Sequence, residues 1–137
     1  MQPWHIQWLI PGRVIYIQLP ATFTLDDLHQ LNVAWQQLLD QGTPLVHTLI
    51  DATRVKQSPL NVMKLREVMV SLDHPHFGWL IPITANKTLK FIGAIVPQMV
   101  GKTRNRMAAT LDDAITFLQE QDQTLDWAQM NETLTVS

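Results

Sequence analysis

The 137-residue chain has no cysteine, which excludes a disulfide framework, a thiol nucleophile and a zinc–thiolate centre. No apolar run approaches the roughly 20 residues that a membrane-spanning helix needs. The first residues, Met1-Gln2-Pro3-Trp4, carry neither the basic nor the apolar segment of a signal peptide. A cytoplasmic location with no membrane span is therefore the expectation. Charge of one sign is also scarce: ten basic against twelve acidic residues leave a net −2, so no global attraction to nucleic acid is expected. Gly-x-Gly-x-x-Gly and phosphate-loop patterns are absent, and nothing else in the chain implies a cofactor. The length suits one domain that buries about two-thirds of the surface its unfolded form exposes. Residues 1–122 are expected to form that domain, and 123–137, with Trp127 and Met130, a tail that docks at most in part.

What is present is an alternation of strand and helix patterns. Trp4, Ile6, Trp8 and Ile10 alternate with His5, Gln7 and Leu9, the period of a strand with one buried face. A second strand, Arg13 to Leu19, follows across Pro11-Gly12, where proline excludes a type I′ turn and predicts type I or II with a bulge or a longer loop. Thr24-Leu25-Asp26-Asp27 starts a helix near 24–41. Leu25, Leu28, Leu31, Trp35, Leu38 and Leu39 share its inner face, and Asp26, Gln30, Gln37 and Asp40 point outward. Buried strands are predicted at 45–51 and 79–84, with 73–78 as a turn. Helices are predicted near 59–72, 86–101 and 110–121, with a short strand near 104–109. Thr110-Leu111-Asp112-Asp113 repeats the first quartet without repeating its surroundings, so it reads as one capping solution used twice. The result is a single mixed sheet of four to five strands flanked by about four helices, in the order ββαβαβα(β)α.

One stretch suggests a site. The strand ending Leu49-Ile50-Asp51 runs into a polar loop containing Arg54 and Lys56, and Ser58-Pro59 then opens a helix, serine as cap and proline in the first turn. Loops at the carboxyl ends of strands in α/β sheets are where such folds usually meet ligands and partners. This order of elements, the Leu49–Asp51 strand end, the loop to Ser58 and the segment Thr110-Leu111-Asp112-Asp113-Ala114-Ile115-Thr116-Phe117-Leu118 resemble the STAS-like domains of bacterial anti-sigma factor antagonists, over about residues 4–121. In that family an Asp-Ser-Ser-Gly motif opens the helix after the strand, and its serine is a phosphorylation switch read by an anti-sigma kinase. Here Gln57-Ser58-Pro59-Leu60 takes the comparable place, without the acid, the second serine or the glycine, so only Ser58 carries over. A phosphate on Ser58 would sit at a helix N-terminus with Arg54 and Lys56 close in sequence. The resemblance implies a non-enzymatic regulatory module with a protein partner, acting through Asp51, Arg54, Lys56 and Ser58. It extends more loosely to domains that hold lipid-like ligands.

The other candidates are weighed against plainer roles. His47, in a central strand, reads as a hydrogen-bonded core histidine. Ser58, His47 and Asp51 make only a nominal hydrolase triad, since no Gly-x-Ser-x-Gly elbow accompanies them. His74-Pro75-His76 lacks the further ligands of a metal site and reads as an exposed turn. Lys102, Arg104 and Arg106 read as a solvated edge strand kept from unwanted pairing by charge. In the 86–101 helix, Phe91 and Ile95 widen the apolar arc to about 200°, twice what a surface helix needs. That face calls for a cover: the C-terminal tail, a second copy in a homodimer, or a small lipophilic ligand. The last makes a ligand carrier or sensor the alternative function.

Overall fold

The computed structural model describes residues 4–56, 70–84 and 104–131. Their centre is a four-stranded sheet of order β1-β2-β3-β4: β1 His5–Ile10, β2 Val14–Gln18, β3 Val46–Asp51 and β4 Phe77–Ile83. The first pair is antiparallel and the other two are parallel, which makes the sheet mixed as expected. The hairpin turn places Pro11 and Gly12 between Ile10 and Arg13, whose N–H donates to Ile10 O at 3.0 Å. Gly12 has φ +76°, the backbone a type II turn demands at its third position.

A bulge accompanies that turn. Trp8 stands opposite Ile15 but Ile10 opposite Val14, so β1 carries one extra residue. The alternation of Trp4, Ile6 and Trp8 toward one core therefore stops at Trp8. Leu9, expected on the polar side, is 0% exposed and joins Ile10 in the opposite core.

Both faces of the sheet are covered. On one lies α1, Leu25–Gln41, which buries Leu31, Trp35 and Leu39 against Ile15, Ile17, Val46, Phe77 and Leu80. Trp35 also donates its indole N–H to Thr48 Oγ1 at 3.0 Å, satisfying two buried polar groups at once. The helix begins with a reciprocal capping box: Thr24 Oγ1 accepts from Asp27 N–H at 3.1 Å, and Asp27 Oδ2 accepts from Thr24 N–H at 2.8 Å. On the other face lies α2, Leu111–Gln121, where Thr110 Oγ1 accepts Asp113 N–H as a one-way cap, without the reciprocal bond of α1. It packs Ala114 and Leu118 on Val14, Tyr16, Leu49, Ile81 and Ile83.

The described residues hold two α-helices rather than about four. The predicted 86–101 helix lies outside them. Of the predicted 59–72 helix only the end is described, as a 3-10 turn, Val70–Asp73, where the Ser71 hydroxyl and amide both donate to buried Asn32 Oδ1.

β4 starts at Phe77, two residues before the predicted Trp79. The following segment forms parallel bridges with β4 at Leu80–Asn105 and Ile83–Ala108 rather than a continuous strand. Its ladder is regular at both ends, with Arg106 N–H donating to Leu80 O and Ala108 N–H to Pro82 O, each at 3.0 Å. Pro82 has no N–H to return to Arg106, and the ladder lapses there.

The chain after α2 stays on the sheet as far as it is described. Leu125 is buried in the second core, Trp127 and Met130 pack beside it, and Asn131 N–H donates to Leu9 O at 2.7 Å.

Candidate functional site

β3 carries polar side chains toward α2 at both of its ends: His47 at its start and Asp51 at its last position, with Leu49 between them. Asp51 is nearly buried and its two carboxylate oxygens are committed. Oδ2 accepts the Tyr16 hydroxyl, and Oδ1 accepts Thr53 N–H at 2.9 Å and Thr53 Oγ1–H at 2.6 Å. Burial pushes the Tyr16 phenol well above the ordinary tyrosine range, and the hydrogen bond to the Asp51 carboxylate adds to the shift, while Arg54 opposes it. The aspartate thus faces inward and fixes how the chain leaves the sheet.

The loop it anchors is tied at three further points. Ala52 N–H donates to Ile83 O at 2.9 Å, Val55 N–H to Ala52 O at 3.1 Å, and Lys56 N–H to Ala21 O at 2.8 Å. Val55 is buried under the loop. Thr53, Arg54 and Lys56 are exposed, and neither cation forms an ion pair among the described residues. The expected contact residues therefore divide: Asp51 is the internal anchor, and Arg54 and Lys56 are displayed on the surface. Ser58, Phe91 and Ile95 lie outside the described residues.

At the other end of β3, His47 is 0% exposed and fully hydrogen-bonded. Its Nδ1 accepts Trp79 N–H at 2.9 Å, which leaves the proton on Nε2, and that N–H donates to Asp122 Oδ2 at 2.8 Å. Asp122 also receives Arg13 from the hairpin turn at 2.9 Å and the hydroxyl and N–H of Thr124. Against the partial burial that would raise it, the hydrogen bonds from Thr124 and His47 hold the Asp122 carboxyl down to about 2. Burial lowers the His47 imidazole from its ordinary value, so it is the neutral form that sits here.

The core-histidine reading of His47 agrees with this geometry, but its partners Asp122 and Arg13 were not foreseen. They lie 75 and 34 positions away, and only the fold joins them. The nominal triad is not assembled: His47 and Asp51, four residues apart along one strand, are separated by roughly 13 Å of backbone rise.

His74 and His76 are engaged as well. His74 Nδ1 accepts His76 N–H at 3.0 Å and its Nε2–H donates to Asp40 Oδ1 at 2.6 Å. His76 Nδ1–H donates to Leu39 O at 2.8 Å. Together they close the carboxyl end of α1, which has no basic residue of its own in its last turn. The expected turn is thus a helix clamp, and the described residues contain no group of three or more His, Asp or Glu arranged for a metal ion. Arg104 and Arg106 also have work within the fold. Arg104 donates to Phe77 O at 3.2 Å, and Arg106 lies 5.0 Å above the ring of Phe117, whose edge-to-face partner is Trp79.

No family model and no curated protein matches this chain. Among solved structures it is similar to the Bacillus cell fate determinant SpoIIAA in its phosphorylated form. The two share 16% identity over 84% of this chain and 98% of that one, with a TM-score of 0.57. At that identity the likeness is one of fold, and the fold is the STAS-like one expected from the order of elements. No helix among the described residues is long and apolar enough to cross a membrane.

Proposed function

We propose that this protein is a non-enzymatic regulatory module that binds a protein partner through the loop after β3, residues 51–60. The observation that supports this reading most directly is the division of labour at the strand end. A buried carboxylate and five hydrogen bonds hold the path of residues 51–56, while Arg54 and Lys56 are exposed and form no ion pair among the described residues. A segment tied down as residues 51–56 are loses little conformational freedom on binding, which is what a recognition surface needs. The fold shared with SpoIIAA, a protein whose structure was solved in a phosphorylated form, supports a regulatory role of the same general kind. In this reading Asp51 is the positioning residue, Arg54 and Lys56 make the contacts, and Ser58 is the hydroxyl whose modification would change them. The site of action is the cytoplasm.

The test compares Ser58→Asp and Ser58→Ala as affinity baits in lysate from the native source. Aspartate supplies negative charge close in sequence to Arg54 and Lys56 and is as good an N-cap residue as serine, so the two baits should retain partners to different extents. Identical retention by both would remove Ser58 from the interface.

A further inference from the structure

The start of β4 departs from a regular parallel ladder. Val46 is opposite Phe77 but Thr48 is opposite Leu80, so two residues, Gly78 and Trp79, face the single residue His47. A bulge of this kind turns one amide away from the backbone ladder, and the acceptor it finds is a side chain: Trp79 N–H donates to His47 Nδ1 at 2.9 Å. The imidazole lies so close over Gly78 that a Cβ there would come within 2.7 Å of His47 Cε1. Residue types on both strands are thus fitted to one ring, and that ring is titratable.

We propose that His47 is a proton-operated catch on the β4 bulge: a proton taken up at Nδ1 removes the acceptor of Trp79 N–H and opens the bulge, loosening Trp79 from α2. The neutral ring satisfies both of its neighbours, accepting at Nδ1 and donating at Nε2. The protonated ring would keep its bond to Asp122 and set two N–H donors against each other at Trp79, so the break falls on the β4 side. Among the described residues three charged groups face the ring: Asp122 from the end of α2, Arg13 from the hairpin turn and Arg104 from the segment beside β4. The one carboxylate is already shared with Arg13 and Thr124, and both arginines oppose a further positive charge. Trp79 relays the change, because its ring meets Phe117 of α2 edge-on at 4.8 Å.

The pH sign follows from the depressed imidazole. Burial holds folded His47 below its ordinary 6.5, so the stability it contributes is complete above that value and is lost as pH falls from there toward the folded value.

Two measurements on the unmodified protein test this. Long-range nitrogen–proton NMR at about pH 7.5 should show His47 neutral with its proton on Nε2, and a doubly protonated ring at that pH would overturn the proposal. Amide exchange should then show the protection factor of Trp79 falling about tenfold between about pH 7.5 and about pH 5, and by more than that of Ile81 in the same strand. An equal fall at both amides, or none at Trp79, would contradict a local catch. The His47→Gln variant, if it folds, should show a Trp79 protection factor independent of pH over that range. Pairing the exchange data with partner capture at the higher pH keeps this catch distinguishable from the loop interface, which lies at the opposite end of β3.

Discussion

Single side chains in this protein do their work by satisfying one another in places no short motif marks. Tyr16 and Asp51 are a case: removing the phenol oxygen leaves one carboxylate oxygen of a nearly buried group without its donor. Tyr16→Phe should therefore cost about 1–3 kcal/mol in chemical denaturation. Gly78 is a second case, since His47 occupies the space a side chain would fill. Gly78→Ala should destabilise by about 1–3 kcal/mol, and the loss should shrink in a His47→Ala background, where the obstruction is gone. Asp122 is a third. With its carboxyl held down to about 2, the stability it contributes is complete above its ordinary value near 3.8 and is lost as pH falls through about 2. Asp122→Asn should flatten that acid limb in a stability–pH profile, and an unchanged limb would assign the acid sensitivity to other carboxylates.

Elements were legible in the sequence to the extent that their signals are local. The two Thr-Leu-Asp-Asp quartets mark the starts of α1 and α2 because a cap involves residues only three apart. Losing the side-chain cap should cost about 1 kcal/mol at either start, and Asp27→Ala should cost more than Asp113→Ala, because only the Asp27 carboxylate closes a reciprocal box on its cap's backbone N–H. Thermal melts of the two variants check the order. The four strands were also legible, since the alternation in β1, the short apolar runs of β3 and β4 and the Pro11-Gly12 turn are all short-range signals. What escaped is what the ladder decides. The β1 bulge turns Leu9 inward, the β4 bulge recruits Phe77 and Gly78 from an apparent turn, and Pro82 interrupts the ladder beyond β4. Each depends on which strand lies alongside, and that is not written in the strand itself. The closing of α1 by His74 and His76 escaped for the same reason, because the donors come from another element than the carbonyls they serve.

Across the whole molecule, the two ends of the parallel strands have different tasks. The amino end is tied shut, with Arg13, His47, Asp122 and Thr124 joining hairpin, sheet and the end of α2. The carboxyl end is held by backbone hydrogen bonds and one buried carboxylate, and presents its cations outward. The end of β3 at Asp51 and the exposed stretch after it were legible from the apolar run giving way to polar residues. The inward role of Asp51 was not, because it depends on Tyr16 of the neighbouring strand. In the proposed reading the interface lies at this rim, and the charge on Arg54 and Lys56 gives it a chemistry that can be reversed. The most direct measurement is a binding comparison between the unmodified protein and the Arg54→Glu/Lys56→Glu double variant, using the partner captured from native lysate. Both residues are solvent-exposed, so the melting midpoints should agree to within the roughly 0.5 kcal/mol typical of surface changes, while affinity falls by about tenfold or more. Equal affinity in two equally stable proteins would contradict the loop as the binding surface.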